Sequence, residues 1–433
     1  MSQDKESLPA PATPNSSLRN WLQIAIAIGI ALPAPVIRTL EVTGAVHLGL
    51  PSLAEAMLFG VAIFAAATLL VWASEVAEQM ISATLALALL AIIAVLPEYA
   101  VDLYFAWTAP TNPENAHFAL ANMTGANRLL VGFAWPLVFF LFWIRKRKEQ
   151  KSPALAVGEQ NSVGLIFLAV ATIYSFSIPA RGNLSLIDAG FLIALFLVYI
   201  YVSSKSPPAT NEIPLVGPAS AIVALPLGWR KATVVAMFVF AAGAVFSAAE
   251  PFANGLIHTG ESFGINEFLL VQWVAPLASE SPEFILAAIL ALRARAQAGL
   301  TVLLSSKVNQ WTLLVGSLPL VYAISDGSFA PLDFDNRQVE EVFLTASQSL
   351  FAVAILMSLS LSFWEATIML GLFLGQFLFP QSEIRWGFAV VYLALSARWF
   401  VFERRFIPRL FNAARRELAQ PGAAGAAGAG GDG

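Results

Sequence analysis

The chain has 433 residues, 58% of them hydrophobic and 12% charged, where soluble domains carry roughly 25% charged residues, so an ordinary soluble enzyme is excluded. A formal net charge of −4, from 28 acids and 24 bases, is too small to point to nucleic acid. The absence of cysteine rules out disulfides, thiolate metal sites and cysteine nucleophiles.

Residues 1–20 are polar and proline-bearing, lack the apolar centre of a signal peptide, and read as a disordered tail. Apolar stretches then predict helices over 21–37, 54–74, 79–107, 117–143, 162–179 and 184–202, a first membrane half spanning 21–202. A Pro-rich linker covers 203–231. Helices over 232–250, 264–292, 299–324, 342–362, 364–379 and 384–402 make a second half, 232–403, followed by a basic and then Gly/Ala-rich tail, 404–433. The expected fold class is an all-α polytopic membrane protein of about 12 transmembrane helices. With the N-terminus inside, 17 Lys and Arg fall in inner segments and four (Arg38, Arg181, Arg337, Arg385) in outer loops, which predicts two cytoplasmic termini. The outer stretch Ser325 to Glu341, with Asp326, Asp333, Asp335, Glu340 and Glu341, reads as a solvated acidic loop.

Two segments repeat. Leu96-Pro97-Glu98 and Ser281-Pro282-Glu283 each lie late in a long apolar span, and each is followed by Leu-Leu-Val-Gly and Pro-Leu-Val, at 129–132 with 136–138 and at 313–316 with 319–321. In the topology above the two units, with cores 79–143 and 264–324, run in opposite directions. Such inverted repeats with discontinuous helices are a recurring plan of secondary transporters. Proline inside a helix frees a carbonyl, and an intramembrane glutamate needs a partner, water or an ion.

Asp102 and Glu280 share helical faces with Glu98 and Glu283. Asn122, Asn127 and Arg128 lie in the next span of the first half; Ser305, Ser306, Lys307, Asn309, Gln310 and Thr312 lie in that of the second. Carboxylate, amide and hydroxyl oxygens suit hard cations, while interhelical hydrogen bonding is the plainer role for each neutral residue taken singly.

These pieces resemble the sodium/calcium exchanger superfamily of cation antiporters, including bacterial members described as sodium:proton exchangers that share the stretch Ser306-Lys307-Val308-Asn309-Gln310-Trp311-Thr312. The resemblance implies ten core spans over 54–379 and cation ligands at Glu98 and Glu283. It also implies polar ligands at Asn127 and Thr312, each 29 residues after its glutamate. Ser279, Glu280, Asp102 and Asn309 complete the expected cation-binding set. The chain departs from the family pattern at Ala94-Val95, where a hydroxyl pair is usual, at Glu280, where a small hydroxylated residue is usual, and at the bases Arg128 and Lys307. Those bases have two readings: structural ion pairs with Glu98 or Glu283, or participation in transport, in which a tethered cation fills one ion position permanently. If all six charged groups face one cavity, four negatives and two positives leave −2.

The expected activity is secondary antiport of Na⁺ or Ca²⁺ for H⁺ (or Na⁺) by alternating access, in the plasma membrane. The expected partners are the lipid bilayer and small inorganic cations, with no cofactor and no nucleic acid; a homo-oligomer is compatible with the pattern. Two alternatives stand beside it: a transport-inactive scaffold with the antiporter fold, and a membrane-embedded hydrolase built on Gly260-Glu261-Ser262-Phe263-Gly264 with His258 nearby. His47, His117 and His258 are too scattered for a metal triad.

Overall fold

Helix starts are set by local chemistry. Ser185 with Asp188, Asp335 with Gln338 and Ser362 with Glu365 form reciprocal capping boxes, each satisfying backbone donors that a helix leaves free at its first turn. They open the helices Leu186–Ser203, Asn336–Leu356 and Phe363–Leu378. The structure, a computed structural model, describes residues 14–45, 49–78, 80, 96–148, 153–204, 215 and 217–419. The outermost tails, His47, Ala94-Val95 and most of the expected span up to residue 95 lie outside the described residues.

Among the described residues nine helical stretches are long and apolar enough to cross a bilayer. They are Leu18–Val42, Ser52–Ala77, Glu114–Lys146, Glu159–Arg181, Leu186–Ser203, Leu227–Phe263, Glu267–Leu292, Asn336–Leu356 and Ser382–Phe402. The other expected spans correspond to Leu96–Thr108, to Ala296–Asn309 with Val315–Asp326, and to the shorter Phe363–Leu378. The chain is a polytopic, nearly all-helical membrane protein. Peripheral helices expose large apolar side chains such as Ile26, Ile187, Val239 and Val390, as lipid requires, while Asn336–Leu356 is 83% buried within the protein.

Helix Glu267–Leu292 is the hub, packing on Ser52–Glu78, Leu96–Thr108, Glu114–Leu129, Trp135–Lys146, Leu227–Phe263 and Ala296–Asn309. Its interior Pro276 and Pro282 leave the carbonyls four residues earlier without a helical donor. Ser52–Glu78 lies tightly along Leu227–Phe263: a Cβ on Gly255 would come 2.7 Å from the Ala56 backbone nitrogen, the close approach through small residues that helices use in lipid. Both repeat helices carry a five-residue π turn, Leu130–Ala134 and Gln310–Leu314, the second about one helical turn earlier relative to its Leu-Leu-Val-Gly segment.

Contacts between loops join only segments assigned to the same side. At one end Asn20 bonds Ser220 at 3.2 Å, Arg145 donates to the Leu292 carbonyl at 2.6 Å and Arg416 pairs with Glu159 at 3.2 Å. A two-residue strand there pairs Leu155 with Leu361. At the other end Tyr104 bonds Asn254 at 3.1 Å, Arg337 bonds Asn266 at 3.2 Å and Arg38 pairs with Glu250. A second strand pair there joins Asn183 to Asp333.

Four expectations are corrected. The stretch Ser325 to Glu341 is not wholly a solvated loop: the Asp335 cap starts a helix at Asn336, and Glu340 and Glu341 are buried in it. Residues 203–231 include a helix, Pro218–Val223, and the start of Leu227–Phe263. Residues 14–20, expected in a disordered tail, belong to the helix Pro14–Ala31; the basic tail, not assigned a structure, begins with the amphipathic helix Phe406–Ala419, whose Leu410, Ala413 and Ala414 are buried. The Gly260 to Gly264 motif ends a helix, not a strand, and the Ser262 hydroxyl donates to the His258 carbonyl at 2.7 Å, so the hydrolase geometry is not met.

Candidate cation site

Two helices from the two halves deliver the acids. Glu98 stands in the first turn of Leu96–Thr108, and Asp102 one turn further; Glu280 and Glu283 flank Pro282 in Glu267–Leu292. All four are buried, with residue exposures of 0–5%. Glu98 lies within electrostatic range of Glu280, Asp102 and Glu283, and Glu280 of Glu283 and Asp102. The four carboxyls predicted from the duplicated Pro-Glu segments are therefore gathered in one place.

The helices that follow hold these acids in position. Asn122 donates to Asp102 Oδ1 at 2.9 Å, Gln310 to Glu280 Oε1 at 2.6 Å, and Ser306 to Glu283 Oε2 at 2.5 Å. Glu98 is held more loosely: no short, well-aligned hydrogen bond reaches its oxygens among the described residues, and its donor is the Gln310 amide that also serves Glu280. A buried carboxylate so sparsely solvated is favourably served by a proton or a cation. Tyr99, beside it in sequence, donates to Asn309 Oδ1 at 3.2 Å. The hydroxyls of Ser279 and Thr312 donate to their own helices, at Ala275 O (3.2 Å) and Val308 O (2.5 Å), which leaves their oxygen lone pairs free to accept or ligate. Among the described residues no three His, Cys, Asp or Glu side chains close into a metal-holding group; Asp102, Glu280 and Glu283 each have a neutral partner.

The two bases part company. Lys307 is fully buried and donates to Asn127 Oδ1 at 2.6 Å, in range of Glu280 and Glu98. Arg128 is turned elsewhere: it pairs with Glu341 at 2.6 Å and lies 4.9 Å from the Trp273 ring centroid. The expectation that Arg128 shares the acid cavity or pairs with Glu98 or Glu283 is thus corrected, because the helix Asn336–Leu356 supplies a buried carboxylate of its own. Within the cluster the formal sum becomes four negatives and one positive.

Sequence reasoning enumerated Asn122, Ser306 and Gln310 without giving them separate roles, placed Glu341 in a solvated loop, and missed Tyr99 and Glu75. Glu75, buried near the end of helix Ser52–Glu78, lines a cavity of about 880 Å³ with Asn20, Gln23, Thr68, Pro282 and Leu286. The cavity runs from exposed Arg19 and Arg293 to Pro282, the neighbour of Glu283.

A polytopic helical bundle with acids from two duplicated segments converging at its centre defines a membrane ion carrier by its architecture. The sodium/calcium exchanger protein family matches residues 52–205 and 233–380, and the chain belongs to that family. The solved structure titled H⁺/Ca²⁺ exchanger CAX shares 39% identity with a TM-score of 0.85, covering 93% of this chain and 99% of the other. A structure titled native YfkE, at 16% identity and TM-score 0.58, covers 87% of this chain and 100% of its own, and supports the fold. Among curated proteins there is no sequence match.

Proposed function

We propose that this chain is a secondary antiporter exchanging Ca²⁺ for protons by alternating access. The observation that carries the reading is the buried cluster of Glu98, Asp102, Glu280 and Glu283, drawn from two duplicated segments and lying within electrostatic range of one another. The 39% identity to a protein titled H⁺/Ca²⁺ exchanger favours Ca²⁺ over Na⁺ as the cargo.

Charge balance gives the mechanism its form. With Arg128 committed to Glu341, four acids and Lys307 leave three formal negatives in the cluster. Three protons neutralise that charge, and so do one Ca²⁺ and one proton. Crossing the bilayer with an uncompensated charge is expensive, so the cluster moves only in one of these two neutral states. Exchanging one for the other swaps two protons for one Ca²⁺. Protons and Ca²⁺ compete for the same carboxylate oxygens, which couples their movements. The two units act as inverted repeats around this centre, and rocking one against the other opens alternate sides. The inner end is the one bearing Arg145, Arg293 and Arg416, in the plasma membrane with both termini cytoplasmic.

The test is flux in proteoliposomes holding a pH dye, under imposed Ca²⁺, Na⁺ or K⁺ gradients. Ca²⁺ should drive proton movement without net current, unaffected by clamping the membrane potential, and Glu98→Gln/Glu283→Gln should abolish it. A flux carrying net current would overturn the charge balance. Folded wild-type protein that moves none of these ions would overturn antiport in favour of a scaffold.

A further inference from the structure

We infer that the Lys307 ammonium is a built-in cation: it fills a monovalent-cation position in the acid cluster and so removes any need for a mobile Na⁺ there. The inference rests on the antiport reading and adds a specificity-determining residue to it.

The surroundings of Lys307 Nζ are those of a bound cation. Its side chain is fully buried. Nζ meets Asn127 Oδ1 at 2.6 Å and stands 3.5 Å from the Asn127 backbone carbonyl, two hard oxygens of the kind alkali cations accept. The Trp311 ring centroid lies 4.5 Å away, a face that attracts a cation. Glu280 and Glu98 lie within electrostatic range, so acids from both halves see the ammonium. Among the described residues no carboxylate bonds Nζ; its short contact is with a neutral amide from the opposite repeat. A structural ion pair would show the reverse, as Arg128 and Glu341 do at 2.6 Å.

The internal repeat sets neutral residues against the lysine. Counted from the two glutamates, an offset of 185 places Lys307 against Asn122; counted from the two Leu-Leu-Val-Gly segments, an offset of 184 places it against Met123. The first repeat therefore has an uncharged residue where the second has a charge. Asn122 stays within its own half, donating to Asp102, whereas Lys307 reaches across to the other half. Lys307→Asn and Lys307→Met each bring in a first-repeat residue and vacate one positive position among the acids.

The experiment compares Ca²⁺-driven proton flux in proteoliposomes made with choline, too large to enter, or with Na⁺ or ammonium. Wild type should run equally in all three. Lys307→Met and Lys307→Asn, shown folded by gel filtration and thermal unfolding, should lose flux by about tenfold or more in choline, since they leave an intramembrane charge unbalanced. Na⁺ or ammonium should restore it severalfold. Lys307→Arg, which keeps the charge, should remain indifferent to Na⁺ at whatever rate it retains. Neutral variants that run in choline as wild type does, or that stay inactive with Na⁺ and ammonium, would overturn the inference while leaving antiport standing. Loss of flux in the wild type itself would remove the antiport reading and this inference together.

Discussion

Arg128 and Lys307 are adjacent in role in the sequence, each a base in a helix of otherwise neutral oxygen donors, yet their energetics differ. Arg128 and Glu341 are each 2% exposed and 2.6 Å apart. Removing one member of such a pair strands a buried charge, at about 3–5 kcal/mol, whereas replacing both by apolar groups is often neutral. Arg128→Met and Glu341→Gln should each lower stability by about that amount, and Arg128→Met/Glu341→Leu should recover most of it. Reversible unfolding in detergent micelles checks this, and ion selectivity in the double variant should be unchanged. Additive single-variant losses in the double variant would show that the two side chains are not a coupled pair. The sequence held a signal for Glu341: Asp335-x-x-Gln338 is a capping pattern that starts a helix and carries Glu340 and Glu341 inward. Reading the stretch as acidic and solvated followed its charge and overlooked its cap.

At the scale of elements, the spans were legible because long apolar runs leave a bilayer chain few alternatives. The π turns and the exact packing were not, since they depend on which partner backbone approaches. Gly125 and Pro276 show how such a contact arises. Pro276 has no N–H, so the Gln272 carbonyl loses its helical donor, and it is that carbonyl oxygen against which Gly125 packs. A Cβ on Gly125 would overlap the oxygen, and backbone cannot swing aside as a side chain can. Gly243 lies in a helix with nothing within 4 Å of its would-be Cβ. Gly125→Ala should therefore separate Glu114–Leu129 from Glu267–Leu292, lower the unfolding temperature and abolish flux. Gly243→Ala should be neutral, or stabilising by up to about 1 kcal/mol. Thermal unfolding and flux on the two variants decide it; equal tolerance at both positions would mean that the interhelical contact yields readily. The amphipathic Phe406–Ala419 was legible too: Phe406, Leu410, Ala413 and Ala414 recur at helical spacing, a pattern hidden under its arginines when charge alone is counted.

For the whole molecule, the cavity beside Glu283 gives the architecture a direction. Exposed Arg19 and Arg293 and buried Glu75 and Pro282 line it, so it enters the protein along the acid-bearing helix from the end where Arg145 and Arg416 also lie. A carrier that alternates must close this path before opening another. The chain contains no cysteine, so a single introduced thiol is a unique probe of that path. Thr68→Cys and Leu286→Cys, on the cavity wall, should react with a membrane-impermeant maleimide only from the end bearing the N-terminal helix. Ser328→Cys, exposed at the opposite end, should react only from the other side. Shifting the population by saturating Ca²⁺ or by acid should slow the first two and leave Ser328→Cys unchanged, because a ligand shifts an equilibrium only between states that bind it differently. Reaction of Thr68→Cys from both sides at once would describe a channel, and a rate blind to Ca²⁺ and protons would mean that this cavity is a fixed cleft outside the transport path.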